Sequence, residues 1–183
     1  ADVVCVDAPG RDRASIASEL DVSACDMLVM IGGTGAGQAD AAVTALAQRG
    51  ELQAHGVALQ PGRSTAVGRI GACPVVALPG AADQALAAWL TLARPALDRL
   101  SGHYICARAP VVLTLARKIA SGPGMADIVL VRREGESWQP IAVGDLSLRL
   151  LARADGWLAV PGGSEGYAAG TPCSAMLFDN DVV

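Results

Sequence analysis

The residues best suited to chemistry in this 183-residue chain cluster around one glycine-rich stretch, Gly32-Gly33-Thr34-Gly35-Ala36-Gly37, with Asp40 following. Glycines let a backbone approach an anion closely, and unpaired amides at a turn leading into a helix hold negative charge with the help of the helix dipole. Ordinary turn chemistry would use the same residues, so both readings stand at this point. The stretch is not the dinucleotide-binding GxGxxG in its usual spacing, and it lacks the Gly-Lys-Ser/Thr ending of a Walker loop. Asp40 opens the helical pattern that follows, where it either caps the helix or, with Asp7, supplies a pair of carboxylates for Mg²⁺ beside bound phosphates. Pro61-Gly62-Arg63-Ser64 places a cation on a turn, and Leu78-Pro79-Gly80 forms a second strand-to-helix turn. Arg63 also fits a solvated loop charge. His55 reads as structural rather than catalytic, since no nucleophile stands near it in sequence, and no cysteine sits in a nucleophile motif.

These residues need a scaffold, and residues 1–102 supply the pattern of one. Asp2-Val3-Val4-Cys5-Val6 reads as a strand ending at Asp7. Asp12 is placed to cap a helix carrying Ile16 and Leu20. The apolar run Asp26 to Ile31 is of buried-strand length and feeds the glycine loop, and Asp40 to Arg49 has helical composition. A second unit follows, with Pro74 to Leu78 as strand, Pro79-Gly80 as turn, and a long helical pattern from Asp83 to Leu100 that Pro95 should kink or restart. Alternating strands and helices of this kind predict an α/β domain built on a doubly wound, mostly parallel sheet, which binds ligands at the carboxyl ends of its strands.

The grammar changes after Ser101-Gly102. From residue 103 to 183 short strand-like runs (Val111 to Leu115, Asp127 to Val131, Leu146 to Leu151, Trp157 to Val160) alternate with turn residues and carry no helical period. This predicts a second, small all-β domain, barrel-like or a sandwich.

Composition narrows the partners. Hydrophobic residues at 52% and charged residues at 17% make disorder improbable, and 3% aromatics imply an aliphatic, alanine-rich core. A net charge of −4 without a Lys/Arg cluster argues against a nucleic-acid surface. No apolar run reaches the roughly 18–20 residues that span a bilayer, so no membrane partner is expected. Five scattered cysteines without a CxxC pair suit a reducing cytoplasm and buried free thiols, and two histidines are too few for a His-based metal cage. The chain opens on a strand-like run without methionine and is expected to begin inside a longer protein.

Taken in order, Asp26 through Asp40, Pro61-Gly62-Arg63, Leu78-Pro79-Gly80 and the helix ending at Ser101-Gly102 resemble the molybdopterin-binding domain of the molybdopterin molybdenumtransferase family, to which bacterial MoeA and the gephyrin E domain belong. Leu146-Ser147-Leu148 through Ala154-Asp155-Gly156, then Val160-Pro161 and Ala169-Gly170-Thr171, resemble that family's carboxyl-terminal barrel. The resemblance spans essentially the whole chain. It implies that the glycine loop and sheet edge cradle adenylated molybdopterin, into which molybdate is inserted with Mg²⁺ assisting. It further implies that the full-length protein is a homodimer whose active site is completed partly by upstream segments. By motif position Asp40 matches the acid closing the family's Gly-Gly-x-Ser-x-Gly-x-x-Asp stretch and Asp7 the acid after the preceding strand. Both therefore stand as catalytic and metal-binding candidates. Gly32, Gly33, Thr34, Gly35, Gly37, Pro61, Gly62, Arg63, Ser64, Pro79 and Gly80 stand as the cofactor-binding set.

The departures fall on chemical positions. Gly35 stands where the family has serine, Gln60 and Arg63 replace the two lysines of its Lys-Pro-Gly-Lys-Pro loop, Ser64 replaces a proline, and Ala81-Ala82 replace Asn-Pro. Two functions follow as expectations: molybdate insertion in molybdenum cofactor biosynthesis, or a non-catalytic molybdopterin-binding module that carries or senses the cofactor. A related adenylyltransferase type shares the Gly-Gly-Thr-Gly loop, and the β module argues against it.

Overall fold

A computed structural model of the chain describes residues 1–8, 10–37, 40–102 and 110–178. They fall into two units, Ala1–Val57 with Gly62–Tyr104, and Ala58–Pro61 with Ile105–Val183. The change of pattern expected at residue 103 lies in 103–109, outside the described residues.

The first unit begins with α1 (Arg13–Glu19), whose amino end is capped as its sequence predicts. The Asp12 carboxylate accepts from the amides of Ala14 and Ser15 at 2.9 and 3.0 Å, satisfying two donors that a helix start leaves unpaired. Next come β1 (Leu28–Ile31), α2 (Ala42–Arg49), β2 (Glu51–His55), β4 (Ala66–Ile70) and β5 (Cys73–Leu78), with β3 (Leu59–Gln60) assigned to the other unit. The strands form one sheet in the order β1-β5-β4-β2. The α/β class is as expected. Parallel pairing is confined to β1 and β5, because β4 and β2 return as antiparallel neighbours. Helices α1 and α2 press Ala17, Leu20 and Ala45 against Leu28, Met30 and Ile70, an alanine-rich packing that matches the composition.

Two local expectations are corrected, and a third, that Pro95 kinks or restarts the long helix, is met. Residues 2–6 form no strand: Val3, Val4 and Val6 are largely exposed, and a run of high β-propensity gains its stability only from a paired neighbour, which it lacks here. The β1 run is not fully buried either, because it lies at the sheet's edge, and Ile31 is 75% exposed. The long helix is three joined segments, α3 (Ala82–Ala88), a π turn (Trp89–Ala93) and α4 (Arg94–Leu100). Pro95 brings no amide and would crowd the carbonyl of Thr91, and the wider turn just before it accommodates both.

The second unit contains β6 (Val111–Leu115), β7 (Ile119–Ala120), β8 (Ala126–Glu134), β9 (Ser137–Val143), α5 (Leu148–Leu151), β10 (Gly156–Val160), β11 (Gly166–Tyr167) and β12 (Pro172–Leu177). Strands run in the order β10-β12-β6-β9-β8, and pairing of β10 with β8 closes them into the barrel-like domain expected. Closure removes exposed edges and leaves an interior filled by side chains. Trp138 is fully buried there among Leu115, Ile119, Val129, Val131, Leu158, Val160 and Ala175, and its indole N–H donates to the Val111 carbonyl at 3.3 Å. The strand expected over 146–151 is instead the single helical turn α5. Asp145 accepts from the Ser147 amide at 2.8 Å and starts the turn, so the leucine spacing mimics strand alternation without forming any.

Candidate functional site

The sheet of the first unit ends along one line. In register, Ile31 of β1 stands beside Leu78 of β5, Ala77 beside Ala66 of β4, and Ala66 beside His55 of β2. The carboxyl ends of β1, β5 and β2 and the amino end of β4 therefore share an edge, and three of the segments singled out in the sequence leave or enter the sheet there.

The glycine loop starts by turning across β5. The Gly32 amide donates to the Leu78 carbonyl at 2.9 Å, and Gly32 and Gly33 hold φ of 90° and 67°, a region that only glycine occupies cheaply. A Cβ built on Gly80 would lie 3.4 Å from the Gly32 Cα, so the glycine loop and the Pro79-Gly80 turn touch backbone to backbone. Beyond Gly33 the loop is fastened to the opposite half of the edge. Thr34 is 1% exposed, its hydroxyl lies 3.1 Å from that of Ser64, and its carbonyl accepts from His55 Nε2 at 2.9 Å. The turn bearing Ser64 is tied in its own right: the hydroxyl of buried Thr65 donates to the Gly62 carbonyl at 2.6 Å, and Val57 donates to the Arg63 carbonyl at 3.0 Å. The Arg63 side chain is exposed.

Asp40 does not cap α2. The N-cap position belongs to Ala41, which makes no side-chain cap bond, while Asp40 Oδ2 turns back to accept from the Gly37 amide at 2.9 Å. The Asp40 amide in turn donates to the Gly37 carbonyl at 3.0 Å, so this acid closes the end of the loop. A Cβ on Gly35 would lie 2.6 Å from the same oxygen. Glycine at that position thus leaves the room the carboxylate occupies.

Gly32, Gly33, Thr34, Gly35, Gly37, Asp40, Gly62, Ser64 and Gly80 accordingly belong to one connected edge, with Arg63 on its turn and Pro79 buried beside Gly80. Pro61 falls in the second unit. Asp7 follows a segment that forms no strand, so the strand-end argument for it does not hold. Thr65 had no assigned part in the sequence reading, and His55 was read as structural without a partner. Thr65 stood in a polar turn, a usable signal. The bond from His55 to the loop depends on strand register and had none. Among the described residues, no three His, Cys, Asp or Glu side chains gather as a metal cage. Mg²⁺, however, commonly takes one or two carboxylates and completes its shell with water and substrate oxygens, so a single acid beside a glycine loop would be a fitting donor set. No helix among the described residues is long and apolar enough to cross a membrane.

Comparisons with known proteins agree with this geometry. Residues 2–99 match the family model described as a probable molybdopterin binding domain, and residues 112–178 match the MoeA C-terminal region, domain IV. A Methanocaldococcus jannaschii protein named for molybdopterin biosynthesis is 29% identical over 169 residues, covering 92% of this chain and 40% of its own length. A molybdopterin biosynthesis MoeA protein from Pyrococcus horikoshii superposes with a TM-score of 0.72 at 29% identity, over 92% of this chain and 42% of that one. A molybdenum cofactor biosynthesis protein from Pyrococcus furiosus, 22% identical, shares the fold with a TM-score of 0.66 over 84% of this chain and 49% of its own. The chain thus spans less than half the length of each of these relatives.

Proposed function

The chain belongs to the molybdopterin-binding domain family, within the carboxyl-terminal half of a MoeA-type protein of molybdenum cofactor biosynthesis, and on that premise we propose that it holds adenylated molybdopterin at the glycine-loop edge and takes part in inserting molybdate. The observation that carries this reading is the meeting of the Gly32 and Gly80 turns at the carboxyl ends of adjacent parallel strands, the place where α/β sheets bind ligands. Gly32, Gly33, Gly35 and Gly37 bring backbone close to the ligand's phosphates. Thr34 and Ser64 brace the loop, and Arg63 offers the one charged side chain on the neighbouring turn. Pro61, Gly62, Pro79 and Gly80 complete the proposed binding set.

In this reading Asp40 would hold Mg²⁺, and Asp7 would join as second acid on the strength of the resemblance. Bound there, the ion would neutralise charge on the adenylate as the phosphoanhydride is cleaved. The proposal includes a homodimer in the cytoplasm, with pterin and molybdate as small-molecule partners.

A carrier or sensor that binds molybdopterin without turnover is the second reading. It draws support from Gln60 and Gly35 standing where the family's pattern has lysine and serine, because an oxyanion site loses affinity with each cation and donor removed. Molybdate-dependent AMP release by the full-length protein, measured beside pterin affinity, separates the two. AMP release supports the transferase, and intact pterin binding without AMP release overturns it in favour of the carrier.

A further inference from the structure

The ends of β1 and β5 opposite the candidate site hold a second arrangement with its own chemistry. Cys73 is the first residue of β5 and is buried, whereas Cys25 sits partly exposed in the irregular stretch before β1. Their sulfur atoms lie 3.8 Å apart. Cys25 lies three residues before β1, and Cys73 opens the neighbouring parallel strand, whose Val75 pairs with Leu28. The 3.8 Å between the sulfurs has only to shorten to the roughly 2.05 Å of a disulfide bond. Cys25, outside regular structure, has the freedom to rotate onto its partner.

We propose that Cys25 and Cys73 are a reversible disulfide site that locks the amino ends of β1 and β5 together when the protein meets a disulfide oxidant such as oxidised glutathione. The Cys25 thiolate attacks one glutathione sulfur, forming a mixed disulfide and releasing one glutathione, which takes up a proton. Cys73 then loses its proton, attacks Cys25 Sγ and expels the second glutathione. The two cysteines lose two electrons and two protons, and the glutathione disulfide gains them. The order of attack follows exposure, and burial together with the neighbouring Cys25 pushes the Cys73 thiol up to about 11, which keeps it from reacting first. In a reducing compartment the pair rests as the dithiol. The bond closes a loop containing the whole glycine stretch, α2 and the β2–β4 hairpin, so it restricts the unfolded chain and stabilises the unit that carries the site.

The test is oxidation of the purified chain with oxidised glutathione, acid quenching, alkylation after denaturation, and peptide mapping by mass spectrometry. Alkylatable thiols should fall from five to three, with a linked peptide pair containing Cys25 and Cys73. The thermal midpoint should rise by roughly 5 °C or more, and dithiothreitol should cancel the rise. Cys25→Ser, at a partly exposed position that leaves the core intact, should abolish both the link and the shift, whereas Cys5→Ser should retain them. Five thiols still alkylated, glutathione held on Cys25 without linkage to Cys73, or a link through Cys5 or a second chain would each overturn the proposal.

Discussion

The imidazole of His55 donates from Nε2 to the carbonyl oxygen of Thr34 at 2.9 Å, joining the last residue of one outer strand to the loop that leaves the other. The glycine loop therefore lies across the whole end of the sheet and is held at its far side. Both the neutral Nε2–H tautomer and the charged ring can donate this bond.

Removing that bond should loosen the loop without touching the ligand. For His55→Ala we expect about 1 kcal/mol of lost binding, or roughly five-fold weaker pterin affinity. His55→Gln, whose amide can donate, should recover most of it. Affinity titrations of the two variants check this, and equal losses in both would show that the bond is not what matters.

Asp40→Asn should separate binding from turnover. Asparagine can still accept from the Gly37 amide through its carbonyl oxygen, so loop geometry is retained while the charge for Mg²⁺ is gone. Pterin affinity should change by no more than a few-fold, and metal-dependent AMP release should be lost. Parallel affinity and AMP assays read both, and undiminished release would leave Asp40 as a loop closure only.

At Gly35, valine should act through Asp40. The new Cβ would meet Oδ2 at 2.6 Å and drive the carboxylate off the Gly37 amide, while its branches obstruct approach to the backbone. With two or more hydrogen bonds disturbed, pterin affinity should fall by roughly 10- to 100-fold. Retained circular dichroism with lost binding is the expected pair of results.

Trp138 tests the barrel. Because it is fully buried at the centre of the second unit's core, Trp138→Ala should cost about 3–5 kcal/mol of that unit's stability. Denaturant titration should show the loss in the transition that reports on this unit.

Much of the scaffold is legible from sequence because its signals are local. The apolar runs of β1 and β5, the Asp12 cap and the turn-rich pattern of the barrel need no partner to be recognised. The β2–β4 hairpin is hard to read for the opposite reason: Glu51–His55 is an outer strand with alternating exposed residues, and its antiparallel return is set by pairing alone. Residues 2–6 show the same limit in reverse, as strand propensity without a neighbour. The edge itself was half legible. The glycines, Ser64 and Gly80 announced themselves by type and position, whereas the role of His55 and the turning of Asp40 onto Gly37 arise from tertiary approach that spacing does not encode.

The most direct test of the account is a titration of molybdopterin into this chain, followed by two-dimensional amide NMR. Saturable shifts should concentrate at Gly32–Gly37, Asp40, Arg63, Ser64 and Gly80. No saturable response, or one confined to the barrel strands β6 to β12, would contradict it.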